Sequence, residues 1–197
     1  MGDRSVTAVV VNYLSGDDLA KCLGGLLADQ EFVDRVVVFD NGSDDDSAQA
    51  AKEAGATDGR VELVRSDVNL GLAAAVNQVL PSVKTQYLAV LNPDATPQPG
   101  WLEPLVETLD SNADVGVACP LVLIEQTGEV NSAGQHVHVT GLGFNRLLHA
   151  DPEQVEQIRH EVGGLHGVAF LIRTETLNHL GGWDRTGFLY HEDVALS

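Results

Sequence analysis

A chain of 197 residues is the size of one ordinary domain, long enough to bury a full core without disulfide or metal staples. Hydrophobic residues make up 44% of it and aromatics 5%, a Val-, Leu- and Ala-rich balance that excludes disorder and suits layered strands and helices. With 29 Asp and Glu against 11 Lys and Arg, the formal net charge is -18, which repels DNA, RNA and anionic lipid, so no nucleic-acid partner is expected.

The first apolar run, Val6 to Val11, is too short for a signal-peptide core or a membrane span, and no later stretch reaches spanning length. The run Val6 to Asn12 is instead predicted as a strand, followed by a helix over Asp17 to Ala28. Strands at Arg35 to Asp40, Val61 to Arg65 and Tyr87 to Leu91 then alternate with helices at Asp44 to Ala54 and Leu72 to Val79. Strand–helix–strand units of this kind build an α/β, mostly parallel, doubly wound Rossmann-like sheet, in which ligands bind beyond the carboxyl ends of the strands. A further helix, Trp101 to Asp110, and a strand, Val115 to Ala118, extend the pattern. Residues 120 to 162 break it, and Asp151 to Glu161 reads equally as helix or loop. The pattern resumes with a strand at Val168 to Arg173, a short helix at Glu175 to Leu180 and a Gly181-Gly182 turn. The two cysteines, Cys22 and Cys119, stand far apart without metal-ligand spacing, which suits a reducing cytoplasm.

The strand ends hold the candidate chemistry. Phe39-Asp40-Asn41-Gly42-Ser43 delivers an acid to the mouth of the sheet, where Asp40 can accept a hydrogen bond from a base or ribose; residues 41 to 46 read equally as a turn and helix cap. In Leu91-Asn92-Pro93-Asp94 the proline cannot continue a central strand, so Asn92 and Asp94 flank a rigid bend at the cleft. A carboxylate there can hold a divalent cation against a diphosphate, because magnesium takes only one or two carboxylates and fills its shell with water and phosphate oxygens. Asn69-Leu70-Gly71 can cap the helix that carries Asn77, and Tyr190-His191-Glu192-Asp193 places vicinal acids after the Gly-Gly turn.

Together these segments resemble the family 2 inverting glycosyltransferases of the GT-A fold, the nucleotide-diphospho-sugar transferase fold. The matches run in order through Val9-Val10-Val11-Asn12-Tyr13, Val38-Phe39-Asp40-Asn41-Gly42-Ser43, Asn69-Leu70-Gly71 to Asn77, Asn92-Pro93-Asp94, and Gly181-Gly182-Trp183-Asp184 to Glu192-Asp193. They are most similar to the bacterial rhamnosyltransferase-like branch, in which Asn-Pro-Asp replaces an Asp-x-Asp metal motif. The resemblance implies that Asn12, Tyr13 and Asp40 line the pocket of the base, that Asn69 and Asn92 support the nucleotide-sugar site, and that Asp94 binds Mg2+ or Mn2+. It implies that Asp193 is the catalytic base, with Glu192 orienting base or acceptor.

The expected activity is transfer of a sugar, with inversion, from dTDP-rhamnose or a UDP-sugar to a hydroxyl of a saccharide or lipid-linked saccharide, in cell-surface polysaccharide or glycolipid synthesis. The expected location is cytoplasmic, free or peripheral at the inner face of the cell membrane. Arg185 and Ala195 depart from acids common in the family, and the end at Ser197 falls before the acceptor-binding region of relatives, so residues 1 to 197 are expected to be one catalytic domain truncated at its carboxyl end. An inactive nucleotide-sugar-binding domain is the alternative. A sugar-phosphate nucleotidyltransferase fits less well, because residues 12 to 18 carry no Lys or Arg for a triphosphate.

Overall fold

The computed structural model describes residues 4–157, 161–184, 193 and 196. The chain runs β1 (Val6–Asn12), α1 (Asp18–Ala28), β2 (Val33–Asn41), α2 (Ser47–Thr57), β3 (Val61–Ser66), α3 (Leu72–Val79), β4 (Tyr87–Leu91), α4 (Glu103–Ser111) and β5 (Val117–Ala118). The short strands β6 (Val122–Leu123), β7 (Val130–Ser132), β8 (Gln135–Val137) and β9 (Gly143–Asn145) follow, then a 3-10 turn at Pro152–Gln157, β10 (Ala169–Arg173) and α5 (Thr174–His179).

The main sheet has the order β3-β2-β1-β4-β10-β5. β1 to β4 are parallel, and β1 lies at the centre with all seven residues buried, as its unbroken apolar sequence requires. Alternate residues feed two cores. Val6, Ala8, Val10, Tyr87, Ala89 and Leu91 pack beneath α1, α2 and α4, whereas Val9, Val11, Leu88, Val90, Phe170 and Ile172 pack beneath α3 and α5. Helices thus cover both faces, and the strand order reverses at β1 and β4, where an open α/β sheet leaves a crevice for ligand.

Three features differ from the sequence expectation. α2 starts at Ser47 rather than Asp44, because Asp45 is used as a tie: its Oδ1 accepts from Ser47 N at 3.2 Å and its Oδ2 from Gly16 N at 3.1 Å. β10 is antiparallel to both β4 and β5, with Ala169 opposite Leu91. The unplaced residues after Pro120 form two small antiparallel pairs, β6–β7 and β8–β9, on either side of a tight turn at Gly134, whose φ is +81°.

Candidate functional site

The carboxyl end of β1 carries Asn12, fully buried, whose Nδ2 lies 3.0 Å from Asp40 Oδ1, 2.8 Å from Ser47 Oγ and 3.2 Å from Ser43 Oγ. Parallel pairing of Asn12 with Asp40 brings these two strand ends together. Asp40 is itself fully buried, and its second oxygen accepts from Arg65 Nε at 2.8 Å. Arg65 comes from the carboxyl end of β3, in register with Asp40, and its side chain is 50% exposed. Both Asp40 oxygens therefore already have protein donors, and Arg65 is also tied to the same turn, its Nη2 donating to the Ser43 carbonyl at 3.3 Å. Each oxygen keeps a second lone pair.

The loop after β1 is fastened to this cluster. Leu14 takes φ +52°, a strained conformation for a γ-branched residue, and its N–H donates to Ser43 Oγ at 3.1 Å. Tyr13, just before it, is left 47% exposed at the mouth of the sheet. Asn41 and Asn69 join the end of β2 to the turn before α3: Asn41 Nδ2 donates to Asn69 Oδ1 at 2.9 Å, and Asn41 Oδ1 accepts from Leu70 N at 2.8 Å. Asn69 Oδ1 also accepts from Gly71 N at 2.9 Å, fixing the first turn of α3. The close approach needs Gly42, at φ +84°, because a Cβ there would sit 2.9 Å from the Val68 carbonyl carbon.

At the end of β4 the Asn92 N–H donates to the Val168 carbonyl at 2.8 Å, so the entry to β10 runs alongside the Asn92-Pro93-Asp94 turn. Asp94 is exposed, and among the described residues its carboxylate meets no hydrogen-bond donor. Burial, then the nearby Asp94 charge, pushes the Cys22 thiol behind this turn up to about 12. Beside the same turn, Asp193 is half-buried, and its Oδ2 accepts from Gly167 N at 3.2 Å and from Gln135 Nε2 at 3.3 Å. His166 adjoins it, held below the ordinary imidazole range by burial and pulled back up by the Asp193 charge. The His166 Nδ1 and Gln135 Oε1 atoms are buried without partners among the described residues, as are Asp29 Oδ2, Trp101 Nε1 and Thr174 Oγ1 elsewhere in the fold.

Asn77, on α3, anchors the Gly-Gly-Trp segment by two bonds, donating to the Trp183 carbonyl at 2.7 Å and accepting from Trp183 N at 2.8 Å. The structure therefore joins Asn12 to Asp40 and, through Asn41, the same strand end to Asn69, while Asp193 sits at Gly167, next to the Val168 whose carbonyl accepts from Asn92 at the end of β4. Glu192 lies outside the described residues. Arg65, Gln135 and His166 were missed from sequence. Arg65 had a weak signal, as a cation at the end of a predicted strand, whereas Gln135 and His166 sit in stretches with no recognisable period.

Among the described residues no three His, Cys, Asp or Glu side chains cluster to form a metal cage. A single exposed carboxylate on a proline-stiffened bend does fit a hard divalent cation whose remaining ligands are phosphate oxygens and water. A separate groove of about 840 Å³ runs along the edge strand β5, lined by Trp101, Leu105, Cys119, Arg146 and Leu165 among others.

The chain belongs to glycosyl transferase family 2, whose sequence pattern matches residues 7–181. It is 28% identical over 210 residues to the N-acetylglucosaminyl-diphospho-decaprenol L-rhamnosyltransferase of Mycobacterium tuberculosis, an alignment covering 95% of this chain and 67% of that protein. Its fold is that of the mannosyltransferase PcManGT from Pyrobaculum calidifontis, solved in complex with GDP-Man and Mn2+, at a TM-score of 0.71 and 19% identity over 98% of this chain. The S. aureus TarS 1-349 structure is similar at a TM-score of 0.67 and 16% identity. The chain spans 50% and 54% of those two structures, respectively. The GT-A architecture and the rhamnosyltransferase-like relationship read from the motifs are both upheld.

Proposed function

We propose that this domain transfers a sugar, with inversion, from a nucleoside-diphosphate donor to a hydroxyl of a lipid-linked saccharide. The observation that carries the reading is the pair of carboxylates flanking the end of β4, Asp94 exposed on the turn and Asp193 bound beside it at Gly167. dTDP-rhamnose is the first donor to test and UDP-sugars the next. The rhamnosyltransferase name of the relative supports the sugar, and its diphospho-decaprenol substrate supports the acceptor.

In this reading Tyr13 offers its exposed ring to the base, and Asp40 accepts from the base edge when Arg65 swings aside. Asn69 and Asn92 hold the loops that border the nucleotide sugar. Asp94 would hold Mg2+ or Mn2+, which supplies Lewis-acid neutralisation of the departing diphosphate. Asp193 takes the proton of the acceptor hydroxyl as its oxygen attacks the anomeric carbon opposite the leaving group. The Gln135 and Gly167 N–H donors orient that carboxylate, and Glu192 assists in orienting base or acceptor.

Calorimetric titration with dTDP and UDP, with and without MnCl2, tests the donor half of the reading. Asp94→Ala should abolish the manganese-dependent part of the affinity and leave the melting temperature unchanged. Unchanged manganese dependence removes Asp94 from the role.

A further inference from the structure

The β8–β9 hairpin carries an apolar surface that the transferase site does not use. Val137, Val139, Leu142, Phe144 and Leu148 are 38%, 94%, 46%, 56% and 50% exposed, all within one short span of chain. Val137 pairs with Gly143 and Phe144 with His136, so these two side chains face opposite sides of the ribbon, whereas Leu142 and Phe144, two residues apart, share one side, with Val139 in the turn beyond; exposed apolar residues grouped in this way mark an interaction surface. Residues 130–150 also contain no Asp or Glu, in a chain that has 29 of them. The other long acid-free stretch, 68–93, forms α3 and β4 and is largely buried, so there the absence follows from the core. On an exposed hairpin it does not.

These properties suit entry into a lipid interface. Carboxylates are costly to carry into a bilayer, and the hairpin carries none. Its backbone groups are largely self-paired: Gln135 to Val137 pairs with Gly143 to Asn145, His138 N donates to the Leu142 carbonyl at 2.8 Å, and Gly141 N to the His138 carbonyl at 2.8 Å. Paired backbone is what a segment needs to leave water without unsatisfied polar groups. The base of the hairpin is Gln135, the residue bonded to Asp193, so the apolar tip and the reaction centre share one element.

We propose that the β8–β9 hairpin is a membrane-docking element that sets Val139, Leu142 and Phe144 into the headgroup–acyl boundary of a bilayer. The inference rests on the reading of the acceptor as lipid-linked, because docking would bring such an acceptor's hydroxyl to Asp193. The net charge of -18 opposes any attraction to anionic lipid, so apolar insertion drives the contact, and the repulsion is screened over about 10 Å at ordinary salt.

Flotation of the chain with phosphatidylcholine vesicles, and with vesicles that also contain phosphatidylglycerol, tests this directly. The wild type should float with phosphatidylcholine and gain nothing from phosphatidylglycerol. The combined Val139→Ser, Leu142→Ser and Phe144→Ser variant should lose roughly 10-fold or more in partitioning, with melting temperature and nucleoside-diphosphate affinity unchanged. Val139→Asp alone, at a position almost wholly in solvent, provides a second variant whose folding is not at risk. A wild type that stays in solution with both vesicles overturns the proposal, as do variants that float equally well. Self-association that the triple variant abolishes, without flotation, overturns it in favour of a second copy of the chain. Flotation without nucleotide binding would instead remove the transferase reading and leave the docking element standing.

Discussion

The polar cluster at the ends of β1 and β2 and the one around Asp193 are built by different means. In the first, Asn12, Asp40 and Asn41 lie at or next to the ends of long parallel strands and are all buried, so backbone register alone brings their side chains together. In the second, Asp193 is held by Gln135 and Gly167, from segments 58 and 26 residues away, and the strand that presents Gln135 has three residues. The first arrangement inherits its precision from a sheet. The second depends on a few side-chain bonds between short pieces, and it leaves apolar surface in solvent. On the proposed reading, substitutions in the first cluster should therefore register in stability and donor binding, and those in the second in turnover.

The largest effect is expected at Asp193. Asp193→Asn keeps the size and part of the hydrogen bonding but cannot take a proton, so transfer should fall by ~10²-fold or more with donor affinity nearly intact. Near-normal transfer at saturating acceptor would show that the proton leaves by another route.

Gly42→Ala probes the first cluster. An alanine at φ +84° with its Cβ 2.9 Å from backbone should cost about 2 kcal/mol, or roughly 4–8 °C in melting temperature, and loosen donor binding through the Asn41–Asn69 link. A variant that melts with the wild type would mean that this junction can relax.

Gln135→Met sharpens the contrast, because it keeps the volume and removes the donor to Asp193. Turnover should drop roughly 10-fold with an unchanged melting temperature, and in an Asp193→Asn background the same change should cost nothing more. Additive losses would mean that Gln135 acts independently of Asp193.

The smallest effect is a pH dependence from His166. Burial lowers its folded-state pKa below the unfolded value, so the unfolded chain binds the extra proton first as pH falls. Its contribution is present above the unfolded imidazole pKa of about 6.5 and is lost as pH drops through and below it. Urea midpoints at pH 7.5 and pH 5.5 should show a smaller loss in His166→Gln than in the wild type.

Much of this protein could be read from its sequence, and the limit has a physical cause. β1 to β4 and their helices announce themselves because strand runs of five to nine residues are long enough to display a period, and because Asp40 closes such a run while Asn69 and Asp94 stand at turns that local chemistry dictates. β6 to β9 have two or three residues each, too few for any period, so their existence depends on the partners they find. The direction of β10 was equally hidden, since a strand buried on both faces has the same apolar composition whichever way it runs. Likewise, nothing local in Asp40 announced that Arg65 would cover it, and nothing in Gln135 that it would reach Asp193. The sequence by itself determined the parallel sheet and the polar residues that stand at its strand ends, because those rest on short-range periodicity and turn chemistry, and its ordered motifs carried the resemblance to the family. Tertiary structure alone decided what each carboxylate touches, because hydrogen bonds between segments 25 and 58 residues apart exist only after the sheet has brought those segments together.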